Sequence, residues 1–240
     1  DDCSATRWKE YDLLDDILRQ INPGLKAKSA PCETTLLFHS RFQKFFNHFI
    51  LGLDGGCQLL GRVTNHVIKY ELQGRQAWHT HVLLWIHPDD LPDVEKLLTM
   101  EIPYEVDPET GEYKVPSDEV LAMLHNIIVQ KNQHSCSSQC RLHGECRYGF
   151  PFPAQYSHTP VLCPKSKRYL PYCPGYRHRN TVCYVPMIAL LWNAHTNVVR
   201  VTNDNLSYYL LKYTAKAEPA GSLMVEPDAM HSLTVPDCSE

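Results

Sequence analysis

No stretch of the sequence comes near the roughly 18 consecutive apolar residues that a membrane-crossing helix needs, so none is expected. The first residues, Asp1-Asp2-Cys3, contain no Met and none of the marks of a secretory leader; the chain reads as a piece of something longer. There is no excess of positive charge. Lys+Arg 23 against Asp+Glu 27 leaves a net charge of -4, which excludes a globally basic nucleic-acid binder. Neither an internal repeat nor a low-complexity tract is present. With 43% apolar and 21% charged residues, extensive disorder is excluded as well. The 240 residues suffice for one sizeable core, or for one core with a small satellite.

What is present is uneven. Residues 89–119 carry eleven acids against Lys96 and Lys114. Residues 127–183 carry eight Lys/Arg against Glu145 alone. A basic segment beside an acidic one points to a polar partner on one face. Ten cysteines are many, but below the density of a disulfide scaffold. Cys136, Cys140 and Cys146 cluster beside histidine while Cys3, Cys32, Cys57 and Cys238 are scattered. That arrangement favours metal binding over disulfides, and with it a reducing compartment.

Hydrophobic periodicity predicts helices over residues 8–22 and 39–53, and a capped helix over 117–130. Alternation predicts two strands, Val63 to Leu72 and Trp78 to Ile86, joined by a polar turn at Gln73 to Ala77. A helix is expected through Leu98, an acidic loop or hairpin over 101–116, and metal-held loops over 134–179. Strands are expected over 182–191 and 195–201, and a last helix over 205–216. The fold class that follows is α+β: a central antiparallel sheet with flanking helices and a zinc-stapled insertion around 132–180. Residues 1–37 read as an N-terminal helical extension, 38–219 as the core, and 220–240 as a tail or linker.

Four patterns carry chemistry. His79-Thr80-His81 lies in an apolar strand, so both imidazoles point to one face, a good start for a divalent cation. Glu71 and Gln73 share a face of the preceding strand; a tight turn would set Glu71 across from His81 and Gln73 from His79. Two half-buried sheet histidines would give the same pattern. Tyr209 and Tyr213 are one helical turn apart, and Lys212 and Lys216 repeat that spacing. A tyrosine hydroxyl can attack a phosphodiester and leave a covalent phosphotyrosine; an amphipathic helix with half-buried tyrosines is the plainer explanation. His134, Cys136, Cys140 and Cys146 make a closed tetrahedral zinc set. His125, His143, Cys163, Cys173 or Cys183 could replace one ligand. Finally, Lys165, Lys167, Arg168, Arg177 and Arg179 alternate with tyrosine in a way that suits a nucleic-acid strand, or a solvated basic loop.

Taken together, Gly61 to Gln73 (GRVTNHVIKYELQ), His79 to His81, Cys146 to Pro151 (CRYGFP), Trp192 to His195 (WNAH) and Tyr209 to Tyr213 (YLLKY) resemble, in that order, the replication-initiator domain of Helitron transposases. This is a family of HUH endonucleases, named for two metal-binding histidines around one hydrophobic residue. The resemblance covers residues 38–219 and implies an HUH-type sheet. It assigns Mg2+ or Mn2+ to His79, His81 and Glu71, with Gln73 as the alternative third ligand. It assigns the paired nucleophiles of the two-tyrosine class to Tyr209 and Tyr213; Lys212 and Lys216, at the same spacing, are then expected to orient phosphates or to lower a tyrosine pKa. Thr80 stands where a bulkier apolar residue is usual. The family's early strand is sought before residue 1 or around Thr34 to Phe38. The implied activity is cleavage and joining of single-stranded DNA through a 5′-phosphotyrosine in rolling-circle transposition. The implied partners are DNA and a Pif1-type helicase domain, and a nuclear location is expected. The competing expectations are a DNA-binding zinc module that has lost cleavage, and a zinc protein that binds a protein partner.

Overall fold

The computed structural model describes residues 8–72, 78–138, 140–142, 144–163 and 168–201. They form a mixed α+β structure of helices and small antiparallel sheets. Helix α1 (Lys9–Ile21) and helix α2 (Pro31–Phe45) come first, and a π-helical turn, Phe46–Ile50, extends α2. Pro31 opens α2 where its missing N–H costs nothing. Thr34 then bonds back to the Ala27 and Ala30 carbonyls at 2.7 and 2.8 Å. Phe38, Phe42 and Phe46 recur at intervals of four and are all buried on one helix face.

That face packs on the hairpin of β1 (Val63–Leu72) and β2 (Trp78–Ile86). Successive strand residues point to opposite sides. Ile68, Tyr70, Trp78, Val82 and Leu84 therefore meet α2, with Phe38 stacked on Trp78 and Phe42 edge-on to Tyr70. Gln43 donates to the Tyr70 hydroxyl at 2.8 Å. The other face of the hairpin carries Lys69, Glu71, His79 and His81.

Helix α3 (Leu91–Glu95) and a small hairpin, β3 (Glu105–Val106) with β4 (Tyr113–Lys114), lead to α4 (Glu119–Lys131), which Asp118 caps at the Leu121 N–H. Two further short pairs follow, β5 (Arg141–Leu142) with β6 (Glu145–Cys146), and β7 (Val161–Leu162) with β8 (Tyr169–Leu170). Helix α5 (Pro186–Trp192) packs on α4 around Leu124, Ile127, Ile128, Tyr184 and Ala189. The chain then returns to its start. The Trp8 indole N–H donates to the Trp192 carbonyl at 2.9 Å, and Arg41 lies 4.2 Å over the Trp8 ring.

Several expectations are corrected. Residues 182–191 were expected to be a strand, but Pro186 sets a helical first turn and 186–192 form α5. Among the described residues, 195–201 pair with no strand, although the Val198 N–H bonds the Cys183 carbonyl. The second helix begins at Pro31, so Thr34 to Phe38 is helix and no early strand lies there. The helix after β2 is a short turn, Leu91–Glu95. In place of one central sheet, the described strands form four separate two-stranded pairs. The expected helix over 205–216 and the tail lie outside the described residues.

Candidate functional site

The first candidate group sits on the hairpin face turned away from α2. The register pairs Glu71 with His79, Lys69 with His81 and Leu72 with Trp78. The expected register, with Glu71 across from His81, is thus corrected by two residues, a slip that leaves every side chain on its expected face. Glu71 still reaches His81 along the diagonal, a contact that long side chains make readily. The His81 Nε2 and Glu71 Oε2 atoms are 3.1 Å apart, and both side chains are largely shielded from solvent. The rings of His79 and His81 lie 4.6 Å apart, edge to face.

A carboxylate and two imidazoles on one half-buried face are residue types that divalent cations take as donors, although among the described residues they are not gathered as closely as the second group. Thr80, between the histidines, points to the α2 side. Its hydroxyl is buried and has no hydrogen-bond partner among the described residues.

Two neighbours were not assigned from the sequence. Lys69 shares this face as the cross-strand partner of His81, and two-residue alternation with Glu71 could have shown it. His195 follows α5, and its pKa is pushed down to about 4, chiefly by burial and then by the charge of His79. No spacing rule brings residue 195 to residue 79; the one signal was that His195 closes the WNAH motif of the resemblance, which gave it no role. Gln73, Tyr209, Lys212, Tyr213 and Lys216 lie outside the described residues.

The second group is a compact cluster. One ligand atom from each of His134, Cys136, Cys140 and Cys146 lies within 4.8 Å of the others. Among the described residues this is the group of three or more such side chains so gathered. His134 Nε2 is 3.3 Å from the Cys136 sulfur, 3.3 Å from Cys146 and 3.7 Å from Cys140. Ligands around a tetrahedral zinc, with Zn–N near 2.0 Å and Zn–S near 2.3 Å, stand about 3.6 Å apart. The cluster therefore fits a metal such as zinc.

Its surroundings suit thiolates. The Ser137 N–H points at the Cys140 sulfur at 3.2 Å. Burial raises the Cys146 thiol, but backbone N–H groups of Tyr148 and Phe150 outweigh it and hold the pKa below its ordinary value. Such bonds stabilise sulfur that carries charge. His134 stacks on Phe150 at 4.3 Å, which fixes its ring. The alternative ligands are placed elsewhere. His125 bonds the Pro103 carbonyl through Nδ1 at 2.7 Å, and Cys173 and Cys183 are buried in the main core. Cys163 stays outside the cluster, and His143 is not among the described residues.

The basic candidates are committed to the protein in part. Arg168 donates to the Tyr148 carbonyl at 2.8 Å. Arg179 Nε donates to the Phe152 carbonyl, and Arg177 lies 4.4 Å over Tyr113. Lys165 and Lys167 lie outside the described residues. Between Arg177 and Arg179, His178 is buried and accepts the Ile102 N–H through Nδ1 at 2.9 Å. Burial, then Arg177, push its pKa below 6.5.

A histidine kept neutral by the fold contributes stability above its unfolded pKa, near 6.5. That contribution is lost as pH falls from there toward the lower folded value. The melting temperature should thus drop between pH 7 and pH 5.5, and less so in His178→Phe. Equal drops in the two proteins by scanning fluorimetry would remove His178 from the account.

Residues 10–84 match a family model described as the Helitron helicase-like domain at the N-terminus, consistent with a Helitron-related domain. The matched stretch includes Glu71, His79 and His81; the cysteine cluster lies beyond it. No curated protein and no solved structure matches the chain.

Proposed function

We propose that this chain is a metal-dependent endonuclease and strand transferase for single-stranded DNA, acting in Helitron-type rolling-circle transposition. The observation that carries the reading is the Glu71, His79 and His81 face, with His81 and Glu71 3.1 Å apart, inside the stretch that matches the Helitron model. His79, His81 and Glu71 would hold Mg2+ or Mn2+, with Gln73 as the rival third ligand. When bound, the ion offsets charge on the scissile phosphate and favours in-line attack.

Tyr209 or Tyr213 attacks phosphorus through its hydroxyl oxygen. The bond to the 3′-oxygen breaks, leaving a 5′-phosphotyrosine and a free 3′-hydroxyl. The phenol proton must leave, and its ordinary pKa near 10 makes a nearby cation useful. Lys212 and Lys216 supply that charge and orient the phosphate. A second tyrosine permits a second cut before the first link is resolved, as donor and target strands require. The structural metal at His134, Cys136, Cys140 and Cys146 staples a segment poor in regular structure. A Pif1-type helicase partner and a nuclear location complete the proposal.

The test is incubation with end-labelled single-stranded DNA and Mn2+, followed by a denaturing protein gel. Label should migrate with the protein and require metal. Strand binding without any adduct would favour the rival reading, a DNA-binding zinc module that has lost cleavage.

A further inference from the structure

Next to the cysteine cluster, exposed tyrosines are held against arginines. Tyr148 follows Cys146 by two residues and is 43% exposed. Arg147 lies 4.7 Å from its ring centre and donates to its hydroxyl at 2.6 Å, while Arg168 holds its carbonyl. Its own N–H is spent on the Cys146 sulfur. The side chain is thus fixed at both ends before any ligand arrives.

A second pair lies on the turn that runs from Tyr176 to Arg179. Tyr176 is 85% exposed, with Arg179 5.7 Å from its ring centre. This turn is tied to the cluster by backbone bonds. The Phe152 N–H meets the Arg179 carbonyl at 2.9 Å, and the His134 N–H meets the Asn180 carbonyl at 2.8 Å. Phe152 in turn contacts Phe150, which stacks on His134. Two exposed aromatic rings, each with a cation, are therefore mounted on one rigid support. Glu145 is the lone acid in residues 127–183.

We propose that Tyr148 and Tyr176 are base-stacking platforms for single-stranded DNA, with Arg147, Arg168 and Arg179 meeting its phosphates. The proposal rests on the reading above for the choice of DNA as partner. Beyond the sequence expectation of charges on phosphate and rings on bases, Tyr148 and Arg147 are added and Arg177 is left out. That arginine covers Tyr113 on the hairpin whose other strand begins with Glu105, and Lys114 there is already drawn to Glu105 and Asp107. Stacking suits unpaired bases because every base has a π-face, whereas a duplex keeps its faces covered.

Fluorescence anisotropy of a labelled oligothymidylate with the zinc-loaded full chain tests this. Tyr148→Ala and Tyr176→Ala should each weaken binding by about tenfold, with zinc content and the salt dependence unchanged. Tyr148→Phe and Tyr176→Phe should bind as the parent does. Arg147→Ala should weaken binding and reduce the salt slope by about one charge. Parental affinity in both alanine variants at equal zinc content would overturn the proposal. So would equal affinity for a matched duplex, or no binding of the oligonucleotide at all. The covalent-adduct assay is scored on the same samples. Binding that depends on the tyrosines without an adduct overturns the cleavage reading alone, and an adduct with tyrosine-independent binding overturns only the platforms.

Discussion

His81→Ala should abolish metal-dependent cleavage and joining while leaving strand binding close to the parent's. His81 is half-buried on the hairpin face turned away from α2, with the His79 ring 4.6 Å away and Glu71 beside it. On the proposed reading, removing its imidazole would take one donor from the ion and break its contact with Glu71. A metal that stabilises charge on a transferring phosphoryl group supplies several kcal/mol, and loss of comparable stabilisation costs about a hundredfold to a thousandfold in rate. Glu71→Gln should be milder, raising the Mn2+ needed for half-maximal cleavage. The Tyr209→Phe, Tyr213→Phe double variant should bind DNA and metal normally and form no adduct, which separates the nucleophile from the ion. Full activity in that double variant, or in His81→Ala, would sink the mechanism.

Cys146→Ser should release the structural metal and cause the largest loss of stability. The thiolate is the sulfur that the Tyr148 and Phe150 N–H groups face, so its replacement disturbs ligand and support together. Zinc ligation contributes folding free energy directly. The main core, with Phe42, Phe46, Met100 and Ile50 buried, does not contain the cluster and should persist. A loss of about 3–5 kcal/mol corresponds to a fall of roughly 10 °C in Tm for a chain of this size. About one zinc per chain should disappear, measured by colorimetric metal release. Unchanged zinc content would refute the ligand assignment.

How far these sites could be read beforehand differs from residue to residue. Strands β1 and β2 were legible to their ends because Ile68, Tyr70 and Leu72 alternate with Lys69 and Glu71, and the short apolar run Val82 to Ile86 is bounded by the turn residues His87-Pro88-Asp89-Asp90. Their register was missed by two residues, because alternation repeats every two residues and a slip of two keeps each side chain on the same face. Residues 182–191 misled for the opposite reason. A short apolar run rich in β-branched residues is compatible with strand and buried helix alike, and only Pro186 hinted at the boundary. The cysteine cluster was legible because soft ligands at short spacing have few other uses. His195 was not, because it approaches His79 only through the packing that follows α5.

The contact between Trp8 and Trp192 has a practical side. Of the four tryptophans, Trp8, Trp78 and Trp192 all touch Phe38, and none belongs to the cysteine cluster. The aromatic neighbours of that cluster are Tyr148 and Phe150. Indole emission thus reports chiefly on the seam where the start of α1, α2, β2 and the end of α5 meet, with Trp85 of β2 adding to the signal, while thiol reactivity beyond that of the exposed Cys32 and Cys57 follows the stapled segment. The molecule carries two separate optical and chemical reporters. A denaturation curve followed by both would show whether its two ends come apart together or in turn.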